Sequence, residues 1–211
     1  MTRIKVRQHV NPLARRYQEP FVAPDFANIY PDCNLPWHVD IGCARGRFPL
    51  QMAAMYPDWN FLGVEIREAL VIEANRIRDE NRLGNLHYIF ANINIAAASL
   101  LAALPAGKLR RVSIQFPDPC FKNKHVKRRM VRSDLVATIA DFLPAGGEVF
   151  LQSDLEWVAA DMRTAFAGNS AFDLLSPAWL PENPLGIATE REIATQQKGE
   201  PVFRAIFRKS T

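Results

Sequence analysis

The strongest constraint on this 211-residue chain is an alternation of two hydrophobic periods that persists for most of its length. Short apolar runs at 37–41, 60–65, 86–90, 111–116 and 147–152 have the length of buried strands. Between and after them lie 48–55, 67–82, 96–103, 131–143 and 155–166, where apolar residues recur at helical spacing, as in Phe48, Met52 and Met55 or Leu70, Ala74 and Ile77. Strand–helix alternation of this kind predicts an α/β fold with a doubly wound, mostly parallel sheet. The order then changes. Residues 172–175 read as a strand, 176–200 as a long polar connection, and 201–207 as a seventh and last strand, which predicts a terminal antiparallel pairing with no helix between.

Residues 1–36 hold Pro12, Pro20, Pro24, Pro31 and Pro36 with little regular period, so they read as a basic arm leading into a domain spanning 37–211. No apolar run approaches the roughly 18–20 residues needed to cross a bilayer, and the first residues lack the apolar stretch of a secretory leader. The expectation is a soluble, cytoplasmic protein without a membrane partner. Three cysteines without a C-x-x-C spacing and four scattered histidines predict neither a disulfide framework nor a metal site.

In doubly wound sheets ligands bind beyond the carboxyl ends of the strands, so the residues there carry the functional reading. The first strand runs into Asp40-Ile41-Gly42-Cys43-Ala44-Arg45-Gly46, where glycines let backbone approach a ligand at a helix N-terminus. The second ends at Glu65, an acid placed to accept from both hydroxyls of an adenosine ribose. The third ends at Asn92, within reach of an adenine edge. Such a set fits a nicotinamide dinucleotide or S-adenosylmethionine. Asp40 favours the second, because a carboxylate repels pyrophosphate and attracts an ammonium or sulfonium. No P-loop is present.

The fourth strand runs into Phe116-Pro117-Asp118-Pro119, where two prolines fix the backbone around one carboxylate. A basic stretch follows at once, with Lys122, Lys124, Lys127, Arg128, Arg129 and Arg132 and no acid between Asp118 and Asp134. With Arg3, Lys5, Arg7, Arg15 and Arg16 it makes two basic clusters on a chain of net charge +4, an electrostatic footprint for a polyanion. Asp118 suits the donor edge of a guanine, and Phe116 or Phe121 could pack on a base. A competing reading has Arg128 and Arg129 cap the helix near Val131 and pair with Asp134, against the helix dipole.

The run from Phe116 to Arg129 closely resembles the signature of the tRNA (guanine-N7-)-methyltransferase family. The resemblance extends through Arg7-x-His9-x-Asn11-Pro12-Leu13, Gly63-Val64-Glu65, Asn75, Ser153-Asp154, Thr189-Glu190-Arg191-Glu192 and Lys198-Gly199-x-Pro201-Val202-Phe203-Arg204. It implies a seven-stranded, Rossmann-like class I methyltransferase that acts on guanine N7 in the tRNA variable loop, at position 46. By position it implies S-adenosylmethionine contacts at Asp40, Gly42, Gly46, Glu65, Asn92 and Asp118, and tRNA contacts at Lys122, Asp154, Thr189, Glu190, Arg191 and Glu192. The chain departs from the family with Asp40 for Glu, Ala44 for Gly, Asn92 for an acid, Cys120 for Trp and Arg191 for an aromatic residue. Guanine N7 carries no proton, so its methylation needs no general base, and Asp118 is expected as the principal catalytic carboxylate with Asp154 assisting. The oligomeric expectation is a monomer or weak homodimer. Alternatives are a methyltransferase with another acceptor, or a non-catalytic RNA-binding protein with a decayed cofactor pocket.

Overall fold

A computed structural model describes residues 10–119 and 128–211. Its sheet has seven strands: β1 (Trp37–Ile41), β2 (Asn60–Glu65), β3 (Leu86–Phe90), β4 (Leu109–Gln115), β5 (Glu148–Ser153), β6 (Phe172–Leu174) and β7 (Phe203–Lys209). They lie in the order β3-β2-β1-β4-β5-β7-β6. The five strands from β3 to β5 are parallel, and β7 runs antiparallel between β5 and β6. Helices α1 (Arg47–Met55), α2 (Glu68–Glu80), α3 (Ile93–Ala102), α4 (Ser133–Phe142) and α5 (Glu156–Ala167) supply the connections. The doubly wound sheet with its antiparallel strand is the architecture expected from the alternation.

The central strands are apolar because both faces are covered: every residue of β1 and β2 is buried. One core cluster gathers Val39, Ile41, Val112, Ile114, Val149 and Leu151 with residues of α3, α4 and α5. A second holds Phe48, Met52, Phe61, Leu86 and Tyr88 under α1 and α2. Gly63 belongs to this second packing, since a Cβ there would lie 2.5 Å from the Tyr88 ring.

Aromatic residues of the proline-containing N-terminal segment enter the core. Tyr17, Phe26 and Tyr30 are buried, the Tyr30 hydroxyl donates to the Phe61 carbonyl at 2.7 Å, and the Tyr30 and Trp37 rings lie 4.4 Å apart. Short 3-10 turns at Arg15–Tyr17 and Phe26–Asn28 punctuate the segment.

One element differs from the sequence expectation. The connection between β6 and β7 contains a helix, α6 (Glu190–Gln197), where 176–200 reads as a polar loop. Its signal was present in Thr189-x-x-Glu192, a capping box: the Thr189 hydroxyl accepts from the Glu192 N–H and the Glu192 carboxylate accepts from the Thr189 N–H. The helix lacks an apolar stripe, so periodicity did not show it. Among the described residues no helix is long and apolar enough to cross a membrane.

Candidate active site

The parallel strands deliver their carboxyl ends to one edge of the sheet, and antiparallel β7 begins there. The strand order reverses between β1 and β4, which opens a crevice at that edge. Asp40 lies on β1 beside this crevice and is buried. Its Oδ1 accepts from the Ser113 hydroxyl at 2.6 Å and from Gln115 Nε2 at 3.1 Å, both on β4. Its Oδ2 accepts no hydrogen bond among the described residues, so one oxygen is held by protein and the other is available to a ligand. Burial pushes the Asp40 carboxyl up to about 6, with the Glu65 charge adding to the rise and the two hydrogen bonds opposing it.

The loop after β1 turns through left-handed backbone at Gly42, Ala44 and Gly46, with φ of 79°, 51° and 70°. A Cβ on Gly42 would meet the Met130 methyl at 2.9 Å, and one on Gly46 would meet the Tyr88 ring at 2.4 Å. Gly46 is therefore required by shape as well as by φ, while Gly42 is required chiefly by φ, since the Met130 methyl it faces ends a flexible side chain. Ala44 adopts the same left-handed backbone without being glycine, so its Cβ carries a steric cost there.

Glu65, at the end of β2, is buried, and all its acceptor capacity is used. Oε1 accepts from the Arg67 backbone N–H and Nε, and Oε2 from the Ala44 N–H and Arg67 Nη2, each at 2.9 Å. The bonds to Glu65 raise the Arg67 guanidinium pKa against its burial, and the nearby Asp118 charge contributes. Asn92 caps α3 through its Oδ1, while its Nδ2 donates to the carbonyls of Pro12 and Tyr17 at 3.2 and 3.1 Å. The N-terminal segment is thereby tied to the end of β3.

Asp118 is exposed on the loop after β4 and lines a small cavity with Pro117, Pro119, Arg129, Met130, Trp157 and Asp161. The loop is strained at its entrance: Phe116 has φ of 50° and precedes a proline, and its N–H is held by the Gln152 carbonyl at 2.8 Å. Arg129 pairs with Asp161 at 2.9 Å and lies over the Trp157 ring at 5.6 Å. The alternative pairing of Arg128 or Arg129 with Asp134 is overturned, because α4 starts at Ser133 and Arg132 is the partner of Asp134. Arg128 is half-buried just before Arg129. Lys122, Lys124 and Lys127, with Cys120, Phe121, Arg3, Lys5 and Arg7, lie outside the described residues.

On the far side of the crevice Asp154 accepts from Arg191 Nε at 2.8 Å, and Glu190 pairs with Arg47 of α1 at 3.0 Å. Glu190 and Arg191 are exposed. Thr189 and Glu192 instead turn inward through the capping box. Glu192, 1% exposed, pairs with Arg204, 3% exposed, at 2.7 Å, and accepts from Asn183 and Gln152. The acceptors of the Glu192 side chain are thus spent inside the protein. Sequence reasoning assigned no role to Ser113, Gln115, Gln152 or Trp157, and it marked Arg204 only as part of the resemblance. The glutamines had a signal, a polar residue closing an otherwise apolar strand, but nothing in the sequence said what they face.

Residues 34–205 match the family model Methyltransf_4, "Putative methyltransferase". The chain is 55% identical over 209 residues to a tRNA (guanine-N(7)-)-methyltransferase of Nostoc sp. (strain PCC 7120), spanning 99% of this chain and 95% of that relative. It is 54% identical over 211 residues to the protein of the same name from Synechocystis sp. (strain PCC 6803), spanning 100% of both. Among solved structures it resembles the 16S rRNA methyltransferase KamB, with TM-score 0.57 and 14% identity over 87% of this chain and 90% of that one. TrmN from Thermus thermophilus gives TM-score 0.57 at 15% identity, over 82% of this chain and 44% of that one. The structural likenesses establish a Rossmann-like methyltransferase fold, and the sequence relatives establish more: this chain belongs to the tRNA (guanine-N7-)-methyltransferase family.

Proposed function

We propose that this S-adenosylmethionine-dependent tRNA (guanine-N7-)-methyltransferase modifies the variable-loop guanine at position 46, using Asp40, the Gly42–Gly46 loop, Glu65, Asn92 and Asp118 around the cofactor. The observation that carries the site reading is the open Oδ2 of buried Asp40 beside a close-approach glycine loop, an arrangement suited to a cationic amino group. S-adenosylmethionine, when bound, supplies an electrophilic methyl group on a sulfonium. Asp40 accepts from its ammonium, and the Gly42–Gly46 backbone lets it approach. Glu65 accepts from ribose hydroxyls only after the Arg67 guanidinium gives up its contacts, because all four acceptor positions are taken.

Asp118 holds the guanine edge and stabilises positive charge developing on the imidazole as N7 is methylated. Alignment of N7 with the methyl group supplies most of the rate, up to about 7–11 kcal/mol in favourable systems. Half-buried Asp154 with exposed Arg191 and Glu190 forms the wall opposite, while Thr189 and Glu192 hold α6 in place. The Lys122–Arg132 run and the N-terminal basic residues bind tRNA phosphates. Residues 1–36 serve as an arm to the catalytic domain of 37–211, and the protein acts in the cytoplasm as a monomer or weak homodimer.

The deciding experiment is transfer of labelled methyl to unmodified tRNA, with nucleoside analysis and Asp118→Ala alongside. Label in 7-methylguanosine at position 46, falling at least a hundredfold in the variant, is expected. Label in another nucleoside overturns the acceptor, and an unchanged Asp118→Ala overturns its catalytic role. Phosphate binding predicts a steep salt dependence of tRNA affinity. Arg128→Ala together with Arg129→Ala should flatten the log–log slope by about one unit per lost contact, and an unchanged slope removes these two residues from the interface.

A further inference from the structure

A row of polar groups crosses the sheet beneath the crevice, one from each of four adjacent strands: buried Asp40 on β1, half-buried Gln115 on β4, and buried Gln152 on β5 and Arg204 on β7. Gln115 and Gln152 are register partners, as are Gln152 and Arg204. Gln152 Nε2 donates to Gln115 Oε1 at 2.7 Å and to Glu192 Oε2 at 3.1 Å, while its Oε1 accepts from Arg204 Nε at 3.2 Å. Gln115 Nε2 then donates to Asp40 Oδ1.

An amide can present either end, but here the ends are dictated. Arg204 has only donors and the Glu192 carboxylate only acceptors, so the Gln152 oxygen must face the first and its NH2 group the second. The second N–H of Gln152 then selects the Gln115 oxygen, which leaves the Gln115 NH2 group for Asp40. We propose that Gln115 and Gln152 are positioning residues through which the buried Arg204–Glu192 pair aims a hydrogen-bond donor, rather than a carbonyl oxygen, at Asp40. The proposal rests on the reading of Asp40 as the ligand of the cofactor ammonium.

The consequence is electrostatic. Burial and the neighbouring Glu65 charge both disfavour the Asp40 carboxylate, and the Ser113 and Gln115 donors offset them. Among the described residues, the Cys43 thiol and Tyr88 hydroxyl near Asp40 are held neutral, each pushed up mainly by burial, and the Arg67 guanidinium is engaged by Glu65. His38 lies behind Ser113, its Nε2 2.8 Å from the hydroxyl, and burial followed by Arg111 holds it neutral. A carbonyl oxygen in place of the Gln115 NH2 group would push the Asp40 carboxyl further up and weaken its attraction for an ammonium.

Two variants test this in the full-length protein. Gln152→Glu keeps an acceptor for Arg204 but offers Gln115 an oxygen, which turns the Gln115 amide without touching Asp40. Gln115→Met deletes the last link at a half-buried strand end and leaves Arg204, Glu192 and Gln152 intact. Readouts are the Asp40 carboxyl carbon chemical shift against pH in the cofactor-free protein, and the Kd for S-adenosylmethionine by calorimetry across the same range. Both variants should move the Asp40 midpoint upward by about one pH unit, from about 6 to about 7, and weaken binding about fivefold near pH 6 and about twofold near pH 7, with recovery by about pH 8. A merely structural role would lower Tm without moving the midpoint. An unchanged midpoint and Kd in folded Gln115→Met overturns the proposal, even if Gln152→Glu does not fold. If Asp40→Asn binds the cofactor as tightly as the parent, the ligand reading fails instead, and the midpoint shift still decides the relay.

Discussion

Asp40 and Glu192 are both buried carboxylates at the same sheet edge, joined through two glutamines, yet they are satisfied in opposite ways. Glu192 has a guanidinium at 2.7 Å and donors from Asn183 and Gln152, which completes it within the protein. Asp40 has two neutral donors on one oxygen and, among the described residues, no cation within salt-bridge distance. A carboxylate closed by its own protein holds structure together, and one left half open is prepared for a cationic ligand at some expense in stability. The α6 side of the edge is therefore scaffold, and the β1 side is site.

Breaking the closed pair should produce the largest change. Arg204→Met leaves Glu192 buried without its countercharge and should cost about 3–5 kcal/mol, read by urea denaturation. A loss below about 1 kcal/mol would mean that the two carboxylates are not distinguished as described.

Neutralising the open carboxylate should do the reverse. In Asp40→Asn the side-chain oxygen can keep both the Ser113 and Gln115 donors, so the variant should be more stable than the parent above pH 7 by about 1–3 kcal/mol. It should also lose cofactor affinity by about tenfold to a hundredfold, the worth of a charge-assisted bond. The pH profile sharpens the point. The unfolded carboxyl titrates near 3.8 and the folded one at about 6, so the folded state binds more protons between them. The Asp40 contribution to stability therefore falls as pH rises from about 4 to about 6, while cofactor affinity rises through about 6. His38 and His87, both with lowered pKa chiefly from burial, act oppositely and remove stability as pH falls below about 6.5. Subtracting the Asp40→Asn profile from the parent isolates the Asp40 window.

The smallest effect concerns the loop between the two. Ala44→Gly relieves a left-handed φ of 51° and should raise stability by about 1 kcal/mol or slightly less, with the Glu65 contact to the Ala44 N–H retained. A destabilised Ala44→Gly would show that the loop is not strained at that position.

Much of the fold was legible because hydrophobic period and strand length are local properties. The first five strands and five helices follow from them, and so does the edge where Asp40, Gly42, Glu65 and Asp118 gather. Helix α6 was hidden because a mostly polar eight-residue stretch without an apolar stripe read as loop, although its capping box was written in Thr189 and Glu192. The pairing of Arg129 with Asp161 and of Arg132 with Asp134 was equally out of reach, since charges in a basic run choose partners in space.

By itself, the sequence determined which side chains could do chemistry: a Pro-Asp-Pro loop, a glycine turn and acids at successive strand ends. Only the tertiary structure decided how each acid is used. It spent Glu192 on Arg204, filled Glu65 with Arg67, and left one oxygen of Asp40 open. The reason is physical: a carboxylate's role depends on the donors and dielectric around it, and burial with partners such as Ser113 and Gln115 for Asp40 or Gln152 for Glu192 comes from strands that only the folded sheet brings side by side.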